Sequence, residues 1–296
     1  MTQASAAPVL EVGAILGEGP VWDVREQRLL FVDILGERVH WFYPERGTHH
    51  SFVAGGPVGA VVLSEDGGLV LARHDCFVRT GPSGEGPAIV EGFRADGHTV
   101  RFNDGKVDPW GRFVAGTMDW GEQAPIGVLY MLWPDHSVTT LLENVTVSNG
   151  LAWSAEGHVV YYIDTPTHRV DAFDVEPASG ALTGRRRAVD VGDAMPDGMA
   201  IDDEGCLWVA LWDGGGVRRY APDGRLLEVV AVPEGGHVSS VAFGGPAMST
   251  LYVTTARKGL TEPELARAPH AGDLFAYETS VTGPPPFRFG PPGTGG

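Results

Sequence analysis

Four short segments of this sequence each carry an acidic or amide side chain followed by a small or acidic residue. The segments are LGEGPVWD, RFNDGKVD, VSNGLAWS and MPDGMAID, and the side chains are Glu18, Asn103, Asn149 and Asp197. If their oxygen atoms meet in one place they need a counter-charge, because crowded acids otherwise have raised pKa values and unmet hydrogen bonds. A divalent cation supplies that charge, and oxygen ligands favour Ca²⁺, Mg²⁺ or Mn²⁺.

The elements that must position these segments form a repeat. A hydrophobic stretch, a turn with Gly or Asp and an alternating strand recur, and the turns align at Asp23, Ser64, Asp108, Ser154, Asp202 and Gly244. The gaps are 41, 44, 46, 48 and 42 residues. Six units of about 45 residues match four-stranded propeller blades, whereas a two-domain β-sandwich does not explain the even spacing. The sequence therefore predicts an all-β fold, a six-bladed β-propeller with four antiparallel strands per blade.

One residue per blade lies five positions before each aligned turn. These residues are Glu18, Gly59, Asn103, Asn149, Asp197 and Ser239. Equivalent positions at the start of the innermost strands form a ring around the central channel of a propeller. The repeat therefore predicts a metal site in the channel, and it explains why polar Asp104 follows Asn103 where a strand begins. Arg101 is either a surface charge or an anchor for an oxygen-rich substrate.

The two ends of the chain differ from the repeat. Residues 1–7 are predicted to be a flexible tail, residues 8–280 the propeller domain, and the Pro/Gly-rich residues 281–296 a mostly unstructured tail. A closed ring needs one blade built from both chain ends. Residues 9–16, VLEVGAIL, are the expected outer strand of the last blade.

Composition limits the partners and the compartment. The formal net charge of −17 argues against nucleic acid or an anionic membrane as the main partner. No apolar run approaches the roughly 18 residues that cross a bilayer, and the first residues lack a signal-peptide pattern. Cys76 and Cys206 form no CxxC motif, which suits a reducing cytosol. We predict a cytoplasmic monomer or weak homo-oligomer.

Other catalytic signatures are missing from the sequence. The histidines show no ligand spacing, although Zn²⁺ can still bind carboxylates. No GxSxG elbow surrounds Ser148, Ser239 or Ser240, and neither a GxGxxG after a strand nor a P-loop occurs. A serine-nucleophile hydrolase and nucleotide chemistry are therefore disfavoured.

The chain resembles the regucalcin (senescence marker protein) and gluconolactonase family. The resemblance extends from about residue 11 to 278. The similar segments are GEGPVWD, RFNDGKVDPWGRFVAGTMD, SNGLAWS, YYIDTPTHRVDAFD, PDGMAIDDEGCLWVALWDGGGV and LYVTTARKGL. The ARKGL at the end of the last segment is more like the bacterial sugar lactonases than the animal proteins. It implies a six-bladed propeller that hydrolyses sugar lactones. It also implies one catalytic divalent metal in the channel, which is Ca²⁺, Zn²⁺, Mn²⁺, Mg²⁺ or Fe²⁺.

The resemblance further implies roles for individual residues. The positions that match the family's metal ligands are Glu18, Asn149 and Asp197. Those that match or adjoin its substrate-binding positions are Arg101, Asn103 and Asp104. The family glutamate that follows the GTM segment corresponds to Glu122 or Asp119 in GTMDWGEQ, and Glu122 is our assignment for substrate binding.

The expected reaction converts an aldonolactone to the aldonic acid. The metal acts as a Lewis acid, and Asp197, or else Glu18 or a metal-bound hydroxide, activates the attacking water. Arg101 and Asn103 hold the sugar hydroxyls. The alternatives are a Ca²⁺-binding regulatory propeller without catalysis and a metal-dependent phosphotriesterase.

Overall fold

A computed structural model of the chain describes residues 4–90 and 94–291, which form six β-sheets around a central channel. The innermost strand of each sheet packs against the innermost strands of the sheets before and after it, and the sixth packs against the first. The predicted all-β, six-bladed propeller with four antiparallel strands per blade is confirmed. Residues 1–3 and 292–296 of the predicted tails lie outside the described residues.

The strands are numbered in chain order, and two of them, β1 (Ala4–Ser5) and β2 (Ala7–Leu10), precede the first blade. Blades one to three contain, from the inside outward, β3 (Gly17–Asp23), β4 (Arg28–Asp33), β5 (Arg38–Tyr43) and β6 (Thr48–Val53); β7 (Val58–Leu63), β8 (Leu69–Arg73), β9 (Cys76–Thr80) and β10 (Ala88–Ile89); and β11 (Val100–Val107), β12 (Phe113–Asp119), β13 (Gly127–Leu132) and β14 (Val138–Val145).

Blades four to six contain β15 (Ser148–Trp153), β16 (Val159–Asp164), β17 (Arg169–Val175) and β18 (Leu182–Asp190); β19 (Pro196–Ile201), β20 (Leu207–Leu211), β21 (Gly216–Tyr220) and β22 (Leu226–Ala231); and β23 (His237–Gly244), β24 (Thr250–Ala256) and β25 (Leu274–Glu278). The helical segments are the 3₁₀ turns Pro44–Arg46 and Thr165–Thr167 and the single turn α1 (Glu262–Leu265). Within the described ranges, no helix has the length and apolar character to cross a bilayer.

The N-terminal segment completes the last blade. Strand β2 pairs antiparallel with β25 and so forms the outer strand of blade six, while β1 adds a parallel strand to the edge of blade five. The expected outer strand at residues 9–16 overlaps β2 but was placed too late in the chain. Strand β2 ends at Leu10 because the backbone N–H groups of Val12 and Gly13, which follow it, donate to the Asp273 carboxylate, at 2.8 and 3.0 Å.

Every innermost strand is irregular at the ring position. The pairing with the second strand shifts register there, for example between Phe102 and Asp104 in blade three and between Pro196 and Met199 in blade five. The other four blades shift at the equivalent place. A bulge bends a strand and re-aims its side chains. Consecutive polar residues can therefore both face the channel, which a regular strand does not allow.

The channel has two ends, one where the innermost strands begin and one where they finish. The C-terminal segment 281–291 crosses the end where they finish. It contains no helix, yet its backbone is hydrogen bonded to residues of four blades: Leu63, Glu65, Gly111, Asp203 and Met248. Phe289 is 3% exposed and bridges to Ser64. Arg288 forms an ion pair with buried Asp23. The Pro/Gly-rich composition did not predict these contacts.

Candidate active site

The four oxygen-bearing ring residues line one pocket at the end of the channel where the innermost strands begin. Glu18 lies on β3, Asn103 on β11, Asn149 on β15 and Asp197 on β19, and none is more than 6% exposed. The pocket has a volume of about 110 Å³. The blade spacing therefore gathers side chains that are up to 179 positions apart in the sequence.

Hydrogen bonds link three of the blades around this pocket. Asn103 Nδ2 donates to Asn149 Oδ1 at 3.0 Å and to the Ser148 carbonyl at 2.8 Å. Asn149 Nδ2 donates to the Thr165 hydroxyl at 2.7 Å, and that hydroxyl donates to the Pro196 carbonyl at 2.8 Å. These bonds fix both amides with their oxygen atoms in defined directions.

The two acids of the ring are electrostatically unfavourable neighbours. Burial, and then the carboxylates of Asp197 and Asp104, raise the pKa of Glu18 well above its ordinary value. Burial and the Asp104 carboxylate likewise raise the pKa of Asp197. Like charges this close and this buried favour uptake of a proton or of a cation.

The chemistry of this donor set fits a divalent metal. Asp197 Oδ1 is buried and has no hydrogen-bond partner in residues 4–90 and 94–291, and a buried acceptor without a partner is costly. Across those ranges no three His, Cys, Asp or Glu side chains form a metal-binding group. That result suits a set in which one ligand is an amide. Glu18, Asn149 and Asp197 are the residues that could hold the ion.

Arg101 lies beside the ring and is 3% exposed. Its guanidinium donates to Asn103 Oδ1 at 2.6 Å and lies 5.7 Å from the centre of the Trp120 ring. Burial lowers the pKa of Arg101 to about 10, so the group is charged at neutral pH. A buried cation next to the pocket can bind the oxygen atoms of a ligand.

Asp104 occupies a different place from the other predicted substrate contacts. It lines a second cavity, of about 240 Å³, between the ring and the C-terminal segment, together with Lys106. Burial raises the pKa of Asp104 and the Lys106 ammonium opposes that rise. The Lys106 ammonium donates to the Met199 carbonyl at 2.7 Å. The assignment of Asp104 to substrate binding stays a prediction.

The structure separates the two candidates in the GTMDWGEQ segment. Glu122 lines the pocket, whereas the Asp119 carboxylate accepts hydrogen bonds from the backbone N–H groups of Gln123 and Ala124 within the turn. Sequence reasoning missed three pocket residues that carry a polar side-chain group: Thr165, Trp212 and Lys258. Each follows the second strand of its blade, and aligning those strand ends would have found them.

The family model described as SMP-30/Gluconolactonase/LRE-like region matches residues 16–257. The chain belongs to this family. Regucalcin of Xenopus laevis is 39% identical over 268 residues, which cover 88% of this chain and 89% of regucalcin. The family member YvrE of Bacillus subtilis, provisionally named a sugar lactone lactonase, is 36% identical over 93% of this chain and 95% of its own.

A family member of known structure has the same fold. The regucalcin of Agrobacterium tumefaciens, described as a calcium-binding protein, superposes with a TM-score of 0.90 at 26% identity. The match covers 97% of this chain and 99% of that one. The resemblance to the regucalcin and gluconolactonase family is thus confirmed over nearly the whole chain.

Proposed function

We propose that the protein hydrolyses a sugar lactone to the aldonic acid and needs a divalent cation to do so. The observation that carries the proposal is the convergence of Glu18, Asn149 and Asp197, with one unpartnered carboxylate oxygen, beside the buried cation Arg101. The sugar lactone lactonase name of the 36% identical Bacillus subtilis relative supports the same reaction.

Each site residue has its own role in the proposed hydrolysis. Glu18, Asn149 and Asp197 hold the cation, which when bound supplies Lewis-acid chemistry at the lactone carbonyl. Asp197 accepts the proton of the attacking water through the carboxylate oxygen that does not hold the cation, with Glu18 as the other candidate base. Arg101 and Asn103 bind the ring hydroxyls and fix the lactone in the reactive orientation.

The test is a pH-indicator assay on chelator-treated protein, with a panel of aldonolactones and each divalent metal restored in turn. Enzyme-free controls are needed because these lactones open spontaneously. We expect metal-restored turnover that is lost in Glu18→Gln and Asp197→Asn. The exposed acid Asp223, 69% exposed at its side chain, provides the matched control Asp223→Asn. Full activity of Asp197→Asn would overturn the assignment of the base.

A second function is favoured by one relative. The Agrobacterium tumefaciens regucalcin is described as calcium-binding, and a propeller of this kind can bind Ca²⁺ without catalysis. Tight metal binding with no turnover of any lactone in the panel would support this second function. The cytoplasmic location, the oligomeric state and the absence of nucleic-acid or membrane partners stay predictions.

A further inference from the structure

An ion pair joins opposite sides of the pocket entrance. Glu122 lies in the loop between β12 and β13 of blade three, and Lys258 lies just after β24 of blade six. Their side chains form a salt bridge, and both line the pocket that contains Glu18 and Asp197. Blades three and six face each other across the ring, because each has two other blades on either side of it. The pair therefore spans the channel.

The backbone on both sides holds this pair in place. The Lys258 N–H donates to the Ile15 carbonyl at 2.9 Å, and the Glu122 N–H donates to the Asp119 carbonyl at 2.9 Å. Glu122 adopts a positive φ of 61°, which is uncommon for a residue with a side chain. A tight turn thus places Glu122 at the pocket, although a Gly or Asn would adopt the same backbone more readily.

Lysine is rare in this chain and concentrated in the channel. The sequence contains two lysines, Lys106 and Lys258, and each lines a cavity of the channel. Burial and Asp104 raise the pKa of Asp197, whereas the Lys258 ammonium is among the charges that lower it. The charge of Lys258 therefore reaches Asp197 as well as Glu122.

The pair contributes little to folding. The side chains of Glu122 and Lys258 are 43% and 29% exposed, and ion pairs in contact with water add little to stability. Its position matters more, because a lactone whose carbonyl lies at Asp197 directs its distal carbons toward the entrance. There the Glu122 carboxylate can accept and the Lys258 ammonium can donate hydrogen bonds to hydroxyl groups.

We infer that Lys258 determines specificity by neutralising and positioning Glu122, so that the entrance selects neutral polyhydroxy lactones over lactones with a free carboxylate. This inference rests on the proposed lactonase function and adds a substrate class to it. A neutral substrate leaves the ion pair intact and hydrogen bonds to both partners. A substrate carboxylate on a distal carbon must compete with Glu122 for the Lys258 ammonium, and the Glu122 carboxylate repels it.

The test compares gluconolactone with glucarolactone, which carries a free carboxylate, on the metal-restored enzyme. Glu122→Gln releases Lys258 from its partner. We expect the kcat/KM ratio of glucarolactone to gluconolactone to rise about tenfold, since a hydrogen bond between charged groups has roughly that effect. Lys258→Met should raise KM for gluconolactone about fivefold or more and change kcat less than KM, whereas Lys258→Arg should restore KM.

Two controls separate selectivity from a structural effect. Arg257→Met removes a neighbouring exposed cation and should leave the substrate ratio unchanged. Acetylation of the lysine amines, measured by peptide mass, should be slower at Lys258 when the hydrolysis-resistant gluconolactam is bound. The rate at Lys106, which lines the second cavity, should not change.

The possible results are distinct. An unchanged substrate ratio in Glu122→Gln, or an equal loss of kcat for both lactones in Lys258→Met, would overturn the role of Lys258 and leave the lactonase proposal standing. No turnover of any lactone by the wild-type protein would overturn both.

Discussion

The side-chain amide of Asn103 in blade three donates a hydrogen bond of 3.0 Å to the amide oxygen of Asn149 in blade four. The second amide hydrogen bond of Asn149 goes to Thr165, which in turn donates to the backbone of blade five. A candidate metal ligand is therefore oriented by residues of three blades. Outer residues of this kind commonly tune metal affinity.

The first prediction concerns Thr165. Thr165→Val keeps the shape of the side chain but removes the acceptor of Asn149 Nδ2, so Asn149 Oδ1 is no longer held in one direction. We expect the affinity for the divalent ion to fall about 10- to 100-fold, measured by competition with a fluorescent chelator. Thr167→Val is the matched control, because the Thr167 hydroxyl donates to the Asp164 carbonyl outside the pocket. Equal affinities in wild type and Thr165→Val would contradict the prediction.

The second prediction concerns pH and the Glu18–Asp197 pair. An acid whose pKa is higher in the folded protein binds more protons when folded, so its contribution to stability decreases as the pH rises above the ordinary carboxyl pKa of about 4. Burial and neighbouring carboxylates raise both pKa values. Metal-free protein should therefore lose thermal stability as the pH rises from about 4 through the raised values.

Added metal should reverse this loss, and the gain in Tm should be larger at neutral than at acidic pH, because protons compete with the ion for the same oxygens. Thermal melts across pH, with and without metal, measure both effects. The Glu18→Gln/Asp197→Asn double variant should show neither. A metal-dependent gain that persists in the double variant would place the ion elsewhere.

The third prediction concerns Gly59, the ring residue of blade two. A Cβ atom there would lie 2.6 Å from the Phe102 carbonyl oxygen and 2.7 Å from the Asn103 nitrogen. Gly59→Ala should push blades two and three apart, lower the free energy of unfolding by about 1–3 kcal/mol and reduce kcat/KM. Urea unfolding and the lactone assay measure these effects. Gly121→Ala is the control: its added atom lies 3.0 Å from an oxygen of the Asp119 carboxylate, and this side-chain end can move aside. A Gly59→Ala protein as stable as this control would refute the packing argument.

The fourth prediction concerns the C-terminal segment. Phe289 is buried between blades two and three, and Phe289→Ala should cost about 3–5 kcal/mol of unfolding free energy. Phe287 in the same segment is 41% exposed, so Phe287→Ala should cost much less. Urea denaturation compares the two variants. The candidate site lies at the other end of the channel, so neither variant should change the affinity for the metal much. A large change of metal affinity in Phe289→Ala would show that the C-terminal segment acts on the site.

The sequence by itself determined the architecture and the ring. The even spacing of turn residues such as Asp108 and Asp202 repeats once per blade, because each blade is a local four-stranded unit whose turns need particular residues. Since equivalent positions of a closed ring meet at its axis, the same spacing places Glu18, Asn103, Asn149 and Asp197 together. These features depend on local pattern and symmetry, and both can be read from one chain.

Tertiary structure decided what depends on contacts between blades. The hydrogen bond from Asn103 to Asn149, the bond from Thr165 to the Pro196 carbonyl, and the ion pair between Glu122 and Lys258 each join residues of different blades. The repeat can suggest which positions face the channel, but it cannot say which side chains bond to each other, because each of these contacts depends on how one blade is rotated against another. The Pro/Gly-rich end of the chain gave no sign that Phe289 would be buried, since its apolar partners belong to blades that the chain completes long before.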